Sequence, residues 1–154
     1  MTDAARVRVV TATSTCLTLE QAEELGITLV PLRVSVEGRD YRDMIDIRPA
    51  ELYRLLRRRV IPTTASPSVG DYLAAYRAAP GPVLCLTVGS QISAMDQAAR
   101  IAAAEADGLG PVEVVETGTA AGGLRLVALA AARLAARGVA LPELAARVRA
   151  ICGR

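Results

Sequence analysis

A chain of 154 residues, 52% apolar and 22% charged, has the size and composition of one folded domain and not of a disordered segment. Its 18 basic residues are all Arg and face 16 acids, and a net charge of +2 lacks the positive excess of a dedicated nucleic-acid or membrane-surface binder. There is no His, which excludes Ser-His-Asp triads, Cys-His dyads, HExxH zinc sites and any imidazole acid or base.

Short β-branched runs alternate with longer Ala/Leu-rich runs of helical period, the pattern of a layered α/β domain with a mostly parallel sheet flanked by helices. Val7 to Val10 reads as a first strand, and Leu19 to Leu25 as a helix stopped by Gly26, where a left-handed cap is wanted. Ile27 to Val36 is extended with a bend at Pro31, and Glu37-Gly38-Arg39 offers a hairpin turn. Pro49 opens a helix to about Arg58, with Leu52, Leu55 and Leu56 on its inner face. Pro62 to Ser68 reads as a loop, and Ser68 as the N-cap of a helix from Val69 to Ala79. Val83 to Val88 is a buried strand, and Ser93 opens a helix to about Ala106 with Asp96 in capping-box spacing. Val112 to Val115 is another strand, Ala120 to Ala136 a long apolar helix, and Leu141 to Cys152 a last helix with Leu144, Val148 and Ile151 inward.

Cys16, Cys85 and Cys152 are far apart and odd in number, so neither a disulfide framework nor a tetrahedral metal site is expected. Met1 to Val10 carries Asp3, Arg6 and Arg8 around too short an apolar run for a signal peptide. The longest charge-free stretch, Ala78 to Met95, is broken by Pro80, Gly81, Pro82 and Gly89 and does not read as a membrane span. A cytoplasmic protein with no stable membrane anchor, no nucleic-acid partner and no cofactor is the expectation.

Four loops should meet the carboxyl ends of strands or the starts of helices: Thr11 to Cys16, Thr63 to Ser68, Gly89 to Ser93 and Thr117 to Gly123. They hold 12 of the 17 Ser and Thr residues in 24 positions. Hydroxyls beside helix N-termini supply donors at a positive dipole end, which suits a carboxylate or phosphate in the crevice of an open α/β sheet. Caps and turns call for the same residues with no ligand at all, and both readings stand on spacing alone. The set holds few groups that move protons at neutral pH, so binding is favoured over catalysis.

Gly118 to Gly123 matches neither GxGxxG nor a P-loop, and close helix–strand packing explains it equally. Cys16 precedes a helix but has no His to activate it, and reads as an inert thiol. Arg57-Arg58-Arg59 is either a docking patch for a phosphorylated or acidic partner or a solvated set complementing a helix dipole. Asp43, Asp46 and Glu51 match no calcium loop.

In order and spacing the segments resemble the DegV family of bacterial fatty-acid-binding proteins. Val10-Thr11-Ala12-Thr13-Ser14-Thr15-Cys16-Leu17 is similar to the family's opening TDS(T/S)xDL, and Ala22 to Ile27 to the helix that follows. Val30-Pro31-Leu32, Tyr41-Arg42-Asp43, Asp46-Ile47 and Glu51-Leu52-Tyr53 continue the match. Thr64-Ala65-Ser66-Pro67-Ser68 resembles TSQPS, Ser90-Gln91-Ile92-Ser93-Ala94 resembles SxLSG, and Val115-Glu116-Thr117 with Gly123 resembles (I/V)DS and a later Gly. The family's opening Asp is Ala12 here, its second acid is Cys16, and the Gly after the key Ser is Ala94.

The resemblance implies a lipid carrier, not an enzyme: a protein that binds a long-chain fatty acid and presents its carboxylate to a separate fatty-acid kinase. Family precedent places the carboxylate on Thr64 and Ser93, and Thr63, Ser66, Thr13 and Ser14 are expected nearby. Family members are nearly twice this length, with a second α+β domain that closes over the ligand and supplies basic residues. The expectation for residues 1–154 is therefore a single DegV-like amino-terminal domain lacking that second domain. A homodimer or a separately encoded second domain would then cover the acyl chain, since each CH₂ left in water forfeits ~0.8 kcal/mol. The alternative is a truncated, non-binding interaction or regulatory module that acts through a dimer or partner by an exposed apolar face. An enzyme in its own right is the weakest reading, because the loops hold no convincing general base.

Overall fold

The computed structural model describes residues 6–153; Met1 to Ala5, on which half of the signal-peptide reading rests, lie outside the described residues, as does Arg154. Four parallel strands form the central sheet: β1 (Arg8–Ala12), β2 (Ile27–Val30), β6 (Val83–Thr87) and β7 (Val112–Glu116), in the order β2-β1-β6-β7. Period-two alternation sorts their side chains between two cores. Val9, Leu84, Leu86 and Val115 face one way, against α1 (Leu19–Leu25), α5 (Ala121–Ala136) and α6 (Leu141–Ile151). Val10, Val83, Cys85 and Val114 face the other, against α3 (Val69–Arg77) and α4 (Met95–Ala104). Both faces are covered, as a parallel sheet requires, and the inner strand β6 accordingly opens on the apolar run Val83-Leu84-Cys85-Leu86.

The extended stretch through Pro31 divides into two strands of different sheets. β2 joins the parallel sheet, whereas β3 (Arg33–Val36) pairs antiparallel with both β4 (Arg39–Arg42) and β5 (Thr63–Ala65). Glu37 and Gly38 both have positive φ, which gives the two-residue hairpin turn whose twist matches the strands. Val34 and Val36 pack with Ile47 beneath Leu52 and Leu55 of α2 (Pro49–Arg57). Leu56 does not join them: one residue beyond Leu55 it is turned about 100° around the helix, and it is 47% exposed. Thr63–Ala65 is likewise a strand and not a loop, held by the Val34↔Thr64 register although all three residues are exposed.

Helix ends follow local chemistry. Thr18 and Gln21 form a reciprocal capping box on α1, and Gly26 closes that helix in the left-handed region at φ 67°. Ser68 and Asp71 form the same box on α3. Burial pushes the Asp71 carboxyl up, but hydrogen bonds from Ser68 and from Arg33 of β3 outweigh it and hold the group below its ordinary range. The second sheet is thus tied to α3 by an ion pair of 3.2 Å. On α6 the buried stripe runs Leu141, Leu144, Ala145, Val148; Cys152 packs against that core, and Ile151 is 55% exposed where an inner position was expected.

Candidate functional site

The carboxyl ends of β1 and β6 lie side by side, and the chain leaves them for opposite faces, to α1 after β1 and to α4 after β6. Such a switch point opens a crevice that the connecting loops cannot fill. A cleft of about 480 Å³ occupies it, within the ~300–1,000 Å³ usual for small-molecule sites. Thr64, Ala65 and Ser66 wall one side, and Ser14, Ser93 and Ala94 line it from the two strand ends. Leu32, Val88, Ile92, Met95 and Ala120 complete the lining with apolar surface.

Of the hydroxyls expected here, Thr64, Ser66, Ser93 and Ser14 come together in the cleft. Ser66 Oγ and Ser93 Oγ are 2.7 Å apart and share a hydrogen bond, which joins the end of β5 to the turn before α4. Ser14 makes only a long contact of 4.0 Å to the Met95 sulfur. Thr13 is not brought in: it is buried, and its Oγ1 accepts the Leu32 N–H at 3.1 Å, fixing the passage from β2 to β3. Thr63 stands opposite Ser35 on exposed strand and does not line the cleft. Thr11, Thr15 and Thr117 donate to the carbonyls of Leu86, Ala12 and Thr87. Their hydroxyls are committed to holding strand ends, the ordinary fate of a buried polar group.

Ser93 does not cap α4, as the spacing predicted. The helix begins at Met95 with Ala94 as its cap and no side-chain hydrogen bond there. Asp96 is engaged instead by Thr87 Oγ1 at 3.0 Å and Arg100 Nε at 2.7 Å. Ser93 is released from capping to face the cleft. α5 likewise starts without a side-chain cap, after Ala120 and with Ala121 at φ 48°. α6 also lacks one, but Pro142 in its first turn removes one of the donors in need of a partner. The two helix starts that adjoin the cleft therefore keep first-turn N–H groups without a side-chain cap, with Asp96 in the first turn of α4 and no acid in that of α5.

Neighbouring loops hold this geometry. Glu116 accepts the Ser90 N–H at 2.7 Å, fixing the turn after β6. A Cβ on Gly89 would press to 3.3 Å against the Gly118 Cα, so this approach of two loops wants glycine; Gly123 packs as closely against the Thr119 side chain, whereas Gly122 faces open space. No acid, amine, thiol or phenol lines the cleft. The Cys85 thiol lies in the core beneath α3 and α4, where burial pushes it up to about 12. A recess of about 410 Å³ between the β3–β4 hairpin and α2 mixes Glu37, Asp46 and Glu51 with Arg39 and Arg54, and so has no preference for an anion. Among the described residues no group of three Cys, Asp or Glu could hold a metal ion, and no helix is long and apolar enough to cross a membrane.

The sequence model of the DegV family, described as uncharacterised protein, DegV family, matches residues 6–154. The chain belongs to the DegV family. A DegV domain-containing protein of Deinococcus radiodurans is 36% identical over 142 residues, covering 90% of this chain and 50% of that protein. A Thermus thermophilus DegV family protein, described for its fatty acid binding, is 32% identical with a TM-score of 0.82, over 96% of this chain and 53% of its own. The fatty acid kinase B3 protein of Streptococcus pneumoniae, loaded with linoleic acid, shares the fold at a TM-score of 0.78 and 16% identity, over 96% of this chain and 54% of its own. The chain spans about half the length of the curated relatives it matches. The layered α/β fold expected of the DegV amino-terminal half is thus the fold present. Sequence reasoning missed the apolar lining, since Leu32, Val88 and Met95 look like core residues, and the bare helix starts, which show only as Ala where a cap would stand.

Proposed function

We propose that this chain, as a single DegV-like α/β domain of the cytoplasm, binds a long-chain fatty acid and acts as a carrier, not an enzyme. The observation that carries the reading is the cleft at the switch point, where the hydroxyls of Thr64, Ser66, Ser93 and Ser14 and two helix starts without side-chain caps meet an apolar lining. Thr64 and Ser93 donate to the carboxylate, and Ser66 and Ser14 sit beside them. Leu32, Val88, Ile92 and Met95 take the first part of the tail. The fatty acid binding described for the Thermus thermophilus relative supports this assignment.

No Arg lines the cleft, so the carboxylate is held by hydroxyls and first-turn N–H groups until a second domain or second copy adds a cation. An open carboxylate end suits presentation to a fatty-acid kinase, and the kinase B3 protein of the same fold is in keeping with that partner. The carboxylate reading is tested by competing palmitic acid against hexadecanol on the purified protein. Hydrogen bonds to a charged group outweigh those to a neutral one, so the acid binds about tenfold tighter or more. Equal affinity would contradict the headgroup assignment.

A further inference from the structure

We propose that the carboxyl end of α2 and the turn after it form a docking site for an anionic lipid surface. The net charge of +2 conceals a local excess: Arg54, Arg57, Arg58 and Arg59 fall within six residues and are all exposed. Arg54 meets Glu51 at 3.9 Å, and Arg57, Arg58 and Arg59 make no ion pair among the described residues. The helix dipole accounts for cations in the last turn only. Arg59 lies beyond it, at φ 60°, a position where glycine is the favoured residue.

Large apolar side chains stand exposed among these cations. Tyr53 is 62% exposed, Leu56 47% and Ile61 80%, and none of them belongs to the core that Leu52, Leu55 and Val60 build beneath α2. Cations flanking an aromatic and two aliphatic side chains match the phosphate layer and acyl boundary of an anionic bilayer. The site is also close to the cleft. Ile61 is three residues before Thr64, so at most about 11 Å of chain separates the docking turn from the cleft wall. A protein resting on this turn would hold its cleft at the lipid surface where fatty acid resides. That purpose rests on the proposed carrier function, whereas the docking itself does not.

The test is co-sedimentation of the whole chain with phosphatidylcholine vesicles, with and without phosphatidylglycerol. Binding appears only with the anionic lipid and falls as salt is raised. Arg57→Gln, Arg58→Gln and Arg59→Gln together weaken it about a hundredfold, and Ile61→Ser alone about tenfold, with melting profiles unchanged. Equal binding to both vesicle types, no binding to either, or wild-type binding by the triple variant would overturn the site. Fatty-acid binding measured without vesicles separates the two claims. Its loss with vesicle binding intact removes the carrier and leaves the docking site, and the opposite result does the reverse.

Discussion

Replacing Thr64 and Ser93 together by alanine weakens fatty-acid binding about a hundredfold or more while leaving the melting profile unchanged. In the proposed binding mode each hydroxyl donates one charge-assisted hydrogen bond, and such bonds contribute about 1.5–3 kcal/mol apiece, so two lost bonds multiply. The fold tolerates the change because Thr64 is exposed and Ser93 caps no helix. Ser66 loses its 2.7 Å partner, but it is only partly buried and water replaces the bond. Isothermal titration with palmitate beside a thermal melt checks both halves. Unchanged affinity would remove these two residues from the headgroup site and leave the bare helix starts as its only donors.

The largest effect on stability is expected at the centre of the parallel sheet. Leu84 of β6 is fully buried in the core shared with α5 and α6. Leu84→Ala removes three buried carbons and leaves a cavity the flanking strands cannot close, costing about 2–5 kcal/mol. Total stability for a domain of this size is about 5–15 kcal/mol, so this one substitution consumes a large share of it. Urea unfolding reports it as a lower midpoint at an unchanged slope. A loss below about 1 kcal/mol would mean the core is looser than its burial implies. By contrast Ile61→Ser, on exposed surface, leaves the midpoint where it was.

What the sequence revealed and what it concealed divide along physical lines. The parallel strands were legible because burial on both faces enriches them in β-branched and aliphatic residues, most clearly in the run Val83-Leu84-Cys85-Leu86 of β6. Helices α1 and α3 were legible because Gly26 and Ser68 cap them by chemistry local to the chain. β5 was not, since Thr63-Thr64-Ala65 lies between two prolines with every residue exposed, and only its pairing to β3 makes it a strand. The start of α4 was misplaced for a related reason. Ser93 answers to Ser66, 27 positions away, and Asp96 to Thr87 and Arg100, so neither makes the local cap that their spacing offers.

The hydroxyl-rich loops show the same division. Spacing brought Thr64, Ser66, Ser93 and Ser14 into view as a set, and the switch point does gather them. It could not separate them from Thr13, which has the same type and setting but is buried and bound to the Leu32 N–H. That distinction belongs to tertiary contacts. The docking turn was half legible: Arg57-Arg58-Arg59 stands out in the sequence, whereas the exposure of Leu56 and Ile61 beside it appears only when α2 is seated on Val34 and Val36.

The carrier function is tested most directly by native mass spectrometry of the purified chain, followed by denaturing extraction of whatever is bound. A working carrier shows a mass increment matching a long-chain fatty acid, recovered in the extract and absent from the Thr64→Ala/Ser93→Ala variant. A chain that stays at its bare mass after incubation with a panel of fatty acids would contradict it, and would favour a module that acts through its apolar and basic surface alone.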